Sequence, residues 1–163
     1  MTATAPLDLL ADEGESAESK ESRMADLELR LQGLAASDER AELLLDYGTL
    51  LLDFQRKEDA WDAAWEAFEH FKTVENWELA VTSTDILVTA DQKDSLIALA
   101  HGIWLGITYP INPETTVAIL QHMVEESPVG SDTAAVAAVS AHFIADKRGA
   151  EGQAGENIRR SEE

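Results

Sequence analysis

The feature that most constrains the fold is an uncharged tract near the middle of the chain, Leu96–Ile111, which reads LIALAHGIWLGITYPI. It is too short to cross a membrane as a helix, which takes about 20 apolar residues. A helix this apolar in a soluble protein has to be covered on most sides. Gly102 and Gly106 lie four residues apart, so they share one helix face and let a neighbouring helix approach closely. The tract is therefore predicted to be the central buried helix of an all-α domain.

Capping residues extend this prediction along the chain. Ser37, Asn76 and Asn112 are favourable N-cap residues, and each precedes apolar residues at three- and four-residue steps. Successive caps lie 39 and 36 residues apart, a period typical of helical-hairpin repeats. No segment has the alternation of a half-buried strand. The sequence predicts about seven helices in antiparallel hairpins, either as stacked repeats or as an irregular bundle. The predicted helix pairs are 38–73, 77–108 and 113–148.

Composition divides the chain into one domain and two tails. Residues 1–22 are small, acidic and mostly polar, and are predicted to be disordered. A single helical domain is expected over 23–149, beginning with a short helix over 23–35. Lys147 and Arg148 followed by Gly149 are typical of a helix end, so the remaining residues, 150–163, are predicted to be a second disordered tail.

The charge balance restricts the partners. The chain carries 32 acidic and 12 basic residues, a formal charge of −20. Such a surface disfavours nucleic acid and anionic lipid, which both attract basic proteins. Three interpretations remain: adaptation to high salt, recognition of a basic partner, or solubility alone. No secretory signal is visible at the start of the sequence, so a cytoplasmic location is expected.

The sequence offers no catalytic constellation. It has no cysteine, which excludes thiol catalysis and Cys-type metal sites in this chain. Its four histidines are isolated, without the short helical spacing of a metal site. There is no Gly-x-Ser-x-Gly elbow and no glycine-rich phosphate loop. We therefore predict a protein that is not an enzyme and holds no metal or cofactor.

Several residues are candidates for binding a partner. Trp61 and Trp65 share the apolar face of the third predicted helix, where they are either core residues or anchors for another protein. A groove between hairpins is a second candidate, and its predicted residues are His101, Trp104, Tyr109 and His122. A short apolar island in the N-terminal segment is interpreted either as a docking motif or as a stray turn, and its leucines are Leu7, Leu9 and Leu10.

A self-association stripe is also predicted on the first helix. Leu27, Leu31 and Leu34 lie at three- and four-residue steps, so they could pair with a second copy of the chain.

The leading functional hypothesis is a non-enzymatic protein–protein interaction module, such as an adaptor, assembly chaperone or accessory subunit. The first alternative is a small-molecule or metal-binding helical domain centred on His101 and His122. The second is an acidic decoy of a DNA-binding protein.

Overall fold

Seven helices make up the part of the chain that the computed structural model describes, which is the backbone of residues 16–161 and the side chains of residues 16–147. No strand is present within these residues, so the predicted all-α class is confirmed. None of the helices in this part of the chain is both long and apolar enough to cross a membrane. The helices are α1 Ala17–Gly33, α2 Asp38–Asp53, α3 Lys57–Thr73, α4 Trp77–Thr89, α5 Ser95–Thr108, α6 Pro113–Glu126 and α7 Asp132–Ser161.

The helices form three hairpins stacked in a row: α2 with α3, α4 with α5, and α6 with α7. The first helices of successive hairpins pack on each other, α2 on α4 and α4 on α6, while α1 packs on α2. Among the described residues no helix of the first hairpin packs against a helix of the third. Contact between nearest neighbours alone is characteristic of stacked repeats. Helix α3 also packs on α4 as extensively as α4 packs on α5, whereas α5 makes little contact with α6. The order of the hairpins is that of stacked repeats, but the unequal interfaces between them are those of an irregular bundle.

The predicted N-caps fix where the first helix of each hairpin begins. The Ser37 hydroxyl accepts a hydrogen bond from the Arg40 backbone N–H at 3.2 Å. The Asn76 side chain accepts from the Leu79 N–H at 3.3 Å, and the Asn112 side chain accepts from the Glu114 N–H at 2.9 Å. Each cap satisfies an N–H that the first turn of a helix leaves without a partner.

Three of the connections between helices use a left-handed residue that is not glycine. Gln55 follows α2 with φ 59°, Glu75 follows α3 with φ 60°, and Asp91 follows α4 with φ 52°. In the first two turns the next N–H reaches back five residues: Arg56 donates to the Leu51 carbonyl and Asn76 to the Phe71 carbonyl. These bonds define a Schellman ending, in which glycine is the usual left-handed residue. The connections are therefore tight, with backbone strain at Gln55 and Glu75.

Helix α5 is packed closely on one side, as its glycines predict. A Cβ added to Gly102 would lie 2.5 Å from the Thr84 hydroxyl on α4, and one added to Gly106 would lie 2.5 Å from the Thr116 methyl on α6. The prediction that α5 is covered on most sides is wrong, however. Among the described residues α4, α6 and α7 pack against it and Phe68 of α3 contacts its His101, but these neighbours leave its outer face in solvent. The large apolar side chains on that face, each about half exposed, are Leu96, Ile97, Trp104 and Ile107.

Both ends of the domain differ from the predicted boundaries. Helix α1 begins at Ala17, earlier than the predicted residue 23, because the Ser16 hydroxyl caps it and Lys20 pairs with Asp53 on α2. Helix α7 continues past Gly149 to Ser161. A glycine inside a helix costs only about 1 kcal/mol, so good helix formers on either side of it can carry the helix onward.

The predicted self-association stripe is not available to a second copy. Leu27 and Leu31 are buried in the core of this chain, and Leu34 packs against it. Their helix packs on α2, so the three leucines are used within the fold.

The glycine–threonine contact predicts a large asymmetry between two glycines. Gly102→Leu should lower the free energy of unfolding by about 1–3 kcal/mol, because Thr84 leaves no room for the added side chain. Gly33→Leu is the matched control, since a Cβ there meets nothing within 4 Å. It should change stability by less than about 0.5 kcal/mol in urea denaturation. Equal effects at the two glycines would contradict the close packing of α5 on α4.

The left-handed turn predicts a stabilising substitution. Glu75→Gly should raise the free energy of unfolding by about 0.5–1 kcal/mol, because relief of left-handed strain outweighs the added flexibility of the unfolded chain. Ala138→Gly, at an exposed position inside α7, should instead lower the free energy of unfolding by about 1 kcal/mol. Thermal unfolding of both variants measures the two effects. A loss of stability in Glu75→Gly would show that this turn is not strained.

Candidate functional site

The exposed apolar residues are concentrated on two neighbouring helices. Seven of the ten large hydrophobic residues exposed in the described part of the chain lie on α5 or α7. We call this surface the α5–α7 apolar face, and it consists of Leu96, Ile97, Trp104 and Ile107 on α5 and Val136, Val139 and Phe143 on α7. Each set recurs at helical spacing along one side of its helix. Helix α5 also contacts α7, so the two rows lie on neighbouring helices.

This surface is comparable to the largest apolar patch on a typical monomer. Seven such side chains, about half exposed, present on the order of 600 Å² of apolar area, at the upper end of the 300–600 Å² typical of such a patch. The largest patch on a monomer is often functional.

An aromatic cluster supports the face from the side of α3. The Phe68 ring stacks on the His101 ring at 5.5 Å and 17°, which joins α3 to α5 through side chains. Trp65 lies 5.6 Å from Phe68, and Trp61 stacks on Trp65 at 5.8 Å. Both tryptophans are half-buried against the core. The cluster therefore fixes the orientation of α5 and leaves one side of each indole in water.

A second aromatic group holds Trp104. Tyr109 stacks on Trp77 with 3.8 Å between ring centroids, and the Trp104 ring meets the Tyr109 ring edge-on at 5.7 Å. Trp104 nevertheless remains 55% exposed. A large aromatic side chain held in place before binding loses little entropy when a partner covers it. Trp104 is thus placed as an anchor for a partner.

His101 serves this cluster as a flat aromatic side chain. It is half-buried, and its Nδ1 is shielded from water without a hydrogen-bond partner among the described residues. A nitrogen enclosed in this way has no access to a substrate. The contact with Phe68 is the role that the geometry supports.

His122 lies in a different place, on the surface formed by the first helices of the hairpins. Its Nδ1 is 2.9 Å from the Asp85 carboxylate on α4. Two helical turns earlier on α6, the Thr115 hydroxyl donates a hydrogen bond to the Glu78 carboxylate at 3.2 Å. Both pairs join residues 37 positions apart, so they record the register of one hairpin on the next. His122 also lines a groove of about 420 Å³, whose other residues include Thr49, Asp53, Thr89 and Glu126.

The pKa values of His122 and Asp85 are both affected by their contact, so the charge of the pair depends on pH. Burial raises the pKa of Asp85, and the hydrogen bond to His122 opposes that rise. The bond to Asp85 raises the pKa of His122, with Glu126 and Glu125 adding to the effect. The imidazolium is therefore favoured in the folded protein, where it joins α6 to α4.

The structure gathers most of the predicted partner residues but not all. Trp61, Trp65 and His101 belong to one aromatic cluster, and Trp104 and Tyr109 belong to another. His122 does not join them, because its ring is held at Asp85.

The predicted island of Leu7, Leu9 and Leu10 lies outside the described residues. Sequence reasoning identified Trp104 but missed the other outer residues of α5 and α7, since an apolar helical stripe looks the same whether it is covered by its own chain or left open.

A metal site receives no support from this geometry. Among the residues that the structure describes, no three His, Asp or Glu side chains are grouped so that they could hold a metal ion. His101 and His122, the proposed centre of such a site, each contact a different element: Phe68 on α3 and Asp85 on α4.

Comparison of the sequence and the structure with known proteins identified no protein similar to this chain. No protein-family model matches the chain, and neither the curated proteins nor the solved structures contain a significant match.

The His122–Asp85 pair predicts a pH-dependent contribution to stability. Because the folded pKa of His122 is raised, its contribution is complete below the unfolded pKa and is lost as pH rises through the folded pKa. His122→Gln should therefore lower stability at about pH 5.5 more than at about pH 8.5, as measured by urea denaturation. The difference should stay within about 1 kcal/mol, since His122 is half exposed and solvent screens the pair.

The matched control is His142→Gln, which removes an exposed histidine on α7. It should change stability little at either pH. An equal loss for His122→Gln at both pH values would contradict the ionic character of the pair.

Proposed function

We propose that this chain is a non-enzymatic interaction module that binds another protein through the α5–α7 apolar face. An adaptor, an assembly chaperone or an accessory subunit, acting in the cytoplasm, would each work in this way. The observation that carries the proposal is the half-exposed row on α5, with Trp104 at 55% and Ile97 at 54% exposure.

Rigidity supports this proposal. The buried side of α5 is held by Thr84 and Thr116 against its two glycines, and the aromatic stacks brace its flank. A binding surface on a rigid helix needs little rearrangement on association, which favours affinity. Aromatic and aliphatic anchors surrounded by polar residues are also the usual composition of energetic hot spots at interfaces.

Site-specific photo-crosslinking in the native cells tests the proposal. Replacement of Trp104 by p-benzoylphenylalanine places the crosslinker within the face, and the same replacement of Leu29 places it on exposed α1. We expect a discrete protein adduct at position 104 that is absent at position 29, because only the first position lies in the interface.

The double substitution Ile97→Ser/Ile107→Ser should reduce the adduct at position 104 by about tenfold, since it removes apolar contacts from the same row. Absence of any adduct at position 104, or the same adducts at both positions, would refute the proposed function.

A further inference from the structure

The partner's chemistry follows from the charge and shape around the α5–α7 apolar face. We infer that the face receives an amphipathic helix of another protein, with a row of large apolar residues on one side and lysine or arginine on the rest. This inference rests on the proposed function and specifies the partner class.

The dimensions of the face suit a helix. The exposed row on α5 extends from Leu96 to Ile107, which is about 16 Å along the helix axis, or three helical turns. The second row, on α7, lies on the next helix of the same layer. Two neighbouring helices with apolar outer rows form the surface on which an amphipathic helix lays its own apolar stripe.

The middle of the face has room for bulky side chains. Ala100 is exposed on α5 between Ile97 and Trp104, and Ser140 is half-buried on α7 between Val136 and Phe143. Small residues flanked by large ones leave a depression. Leucine or phenylalanine side chains of the partner fit such a depression.

Charge complementarity selects a cationic partner. Helix α5 contains no charged residue, so it does not itself repel a partner of either sign. The chain as a whole carries −20, and that excess attracts a basic helix over distances within the Debye length of about 8–10 Å.

The same charge opposes a second copy of this chain. A copy seated on the face would bring another −20 into proximity. A cationic helix from another protein meets no such repulsion, so it is the occupant that the charge favours.

The α6–α7 groove is the competing site for a helix. It has a volume of about 510 Å³ and is lined by Ala138 and Ala145, but also by Gln121, Glu125 and His142. Val117 and Val124 add apolar surface to this lining, but neither is among the large exposed apolar residues, so the groove is the weaker acceptor of an apolar stripe. A variant that fills it therefore serves as a test of location.

The experiment uses the full chain and two synthetic amphipathic peptides of about 16 residues. Both carry the same leucine stripe; one has lysine at all other positions and the other has glutamate. Calorimetric titration at low salt should show the lysine peptide binding about tenfold or more tightly than the glutamate peptide, with the advantage shrinking as salt is raised. Binding should also shift the tryptophan emission, and Trp104→Phe should remove most of that shift.

Variants of the chain locate the peptide. Ile97→Ser/Ile107→Ser should weaken the lysine peptide by about tenfold, because two contacts in the row are lost. Val129→Ser removes a fully exposed apolar residue outside the face and should leave affinity within about twofold. Ala138→Trp, which fills the α6–α7 groove, should also leave it unchanged. Thermal unfolding of each variant confirms that the fold is retained.

Three results would overturn the inference. Equal binding of the two peptides would remove the charge argument. Loss of binding in Ala138→Trp alone would move the site to the α6–α7 groove. A dimer in sedimentation that Ile97→Ser/Ile107→Ser dissociates would make a second copy the occupant. The first two results do not change the protein adduct expected at position 104. They would therefore contradict this inference without contradicting the proposed function.

Discussion

The close approach of α5 to its two neighbours is the constraint on which the rest of the structure depends. Gly102 lies against Thr84 of α4 and Gly106 against Thr116 of α6, and neither site has room for a Cβ. These contacts hold one side of α5 between two hairpins. Once that side is occupied, the large residues on the opposite side of the helix have no place in the core. These residues are Leu96, Ile97, Trp104 and Ile107. A single uncharged helix therefore serves both as a structural element and as an exposed apolar surface.

Stacking explains how so acidic a chain maintains this arrangement. Each hairpin buries its apolar faces against its neighbours, while exposed positions carry the acids, on α2 and on α3 alike. Asp85 is the exception: it is drawn into the α4–α6 contact, where burial raises its pKa and His122 compensates part of the cost. Repulsion among the remaining carboxylates is dispersed in solvent, where salt screens it. The α5–α7 apolar face thus differs in chemistry from the acid-rich exposed positions of α2 and α3.

Much of the fold could be predicted from local signals, because caps and helical periodicity act within a few residues. Ser37, Asn76 and Asn112 cap helices as predicted. The end of α7 was misplaced, since a glycine such as Gly149 is permitted inside a helix as well as after it. The aromatic stack of His101 on Phe68 and the bond of His122 to Asp85 join residues 33 and 37 positions apart, and no local pattern reports such contacts. Exposure of α5 was also beyond prediction, because periodicity identifies an apolar stripe without saying what covers it.

Hydroxyl-radical footprinting of the isolated chain, read residue by residue by mass spectrometry, measures whether the outer side of α5 is open to solvent. The two sides of α5 should react differently, because one is enclosed and the other is in water. Trp104 and Ile107 should be modified rapidly, and Leu99 and Leu105, at 1% exposure each, should be protected. Protection of Trp104 to the same degree as Leu105 would contradict the account, since the outer side of α5 would then be covered within the chain itself.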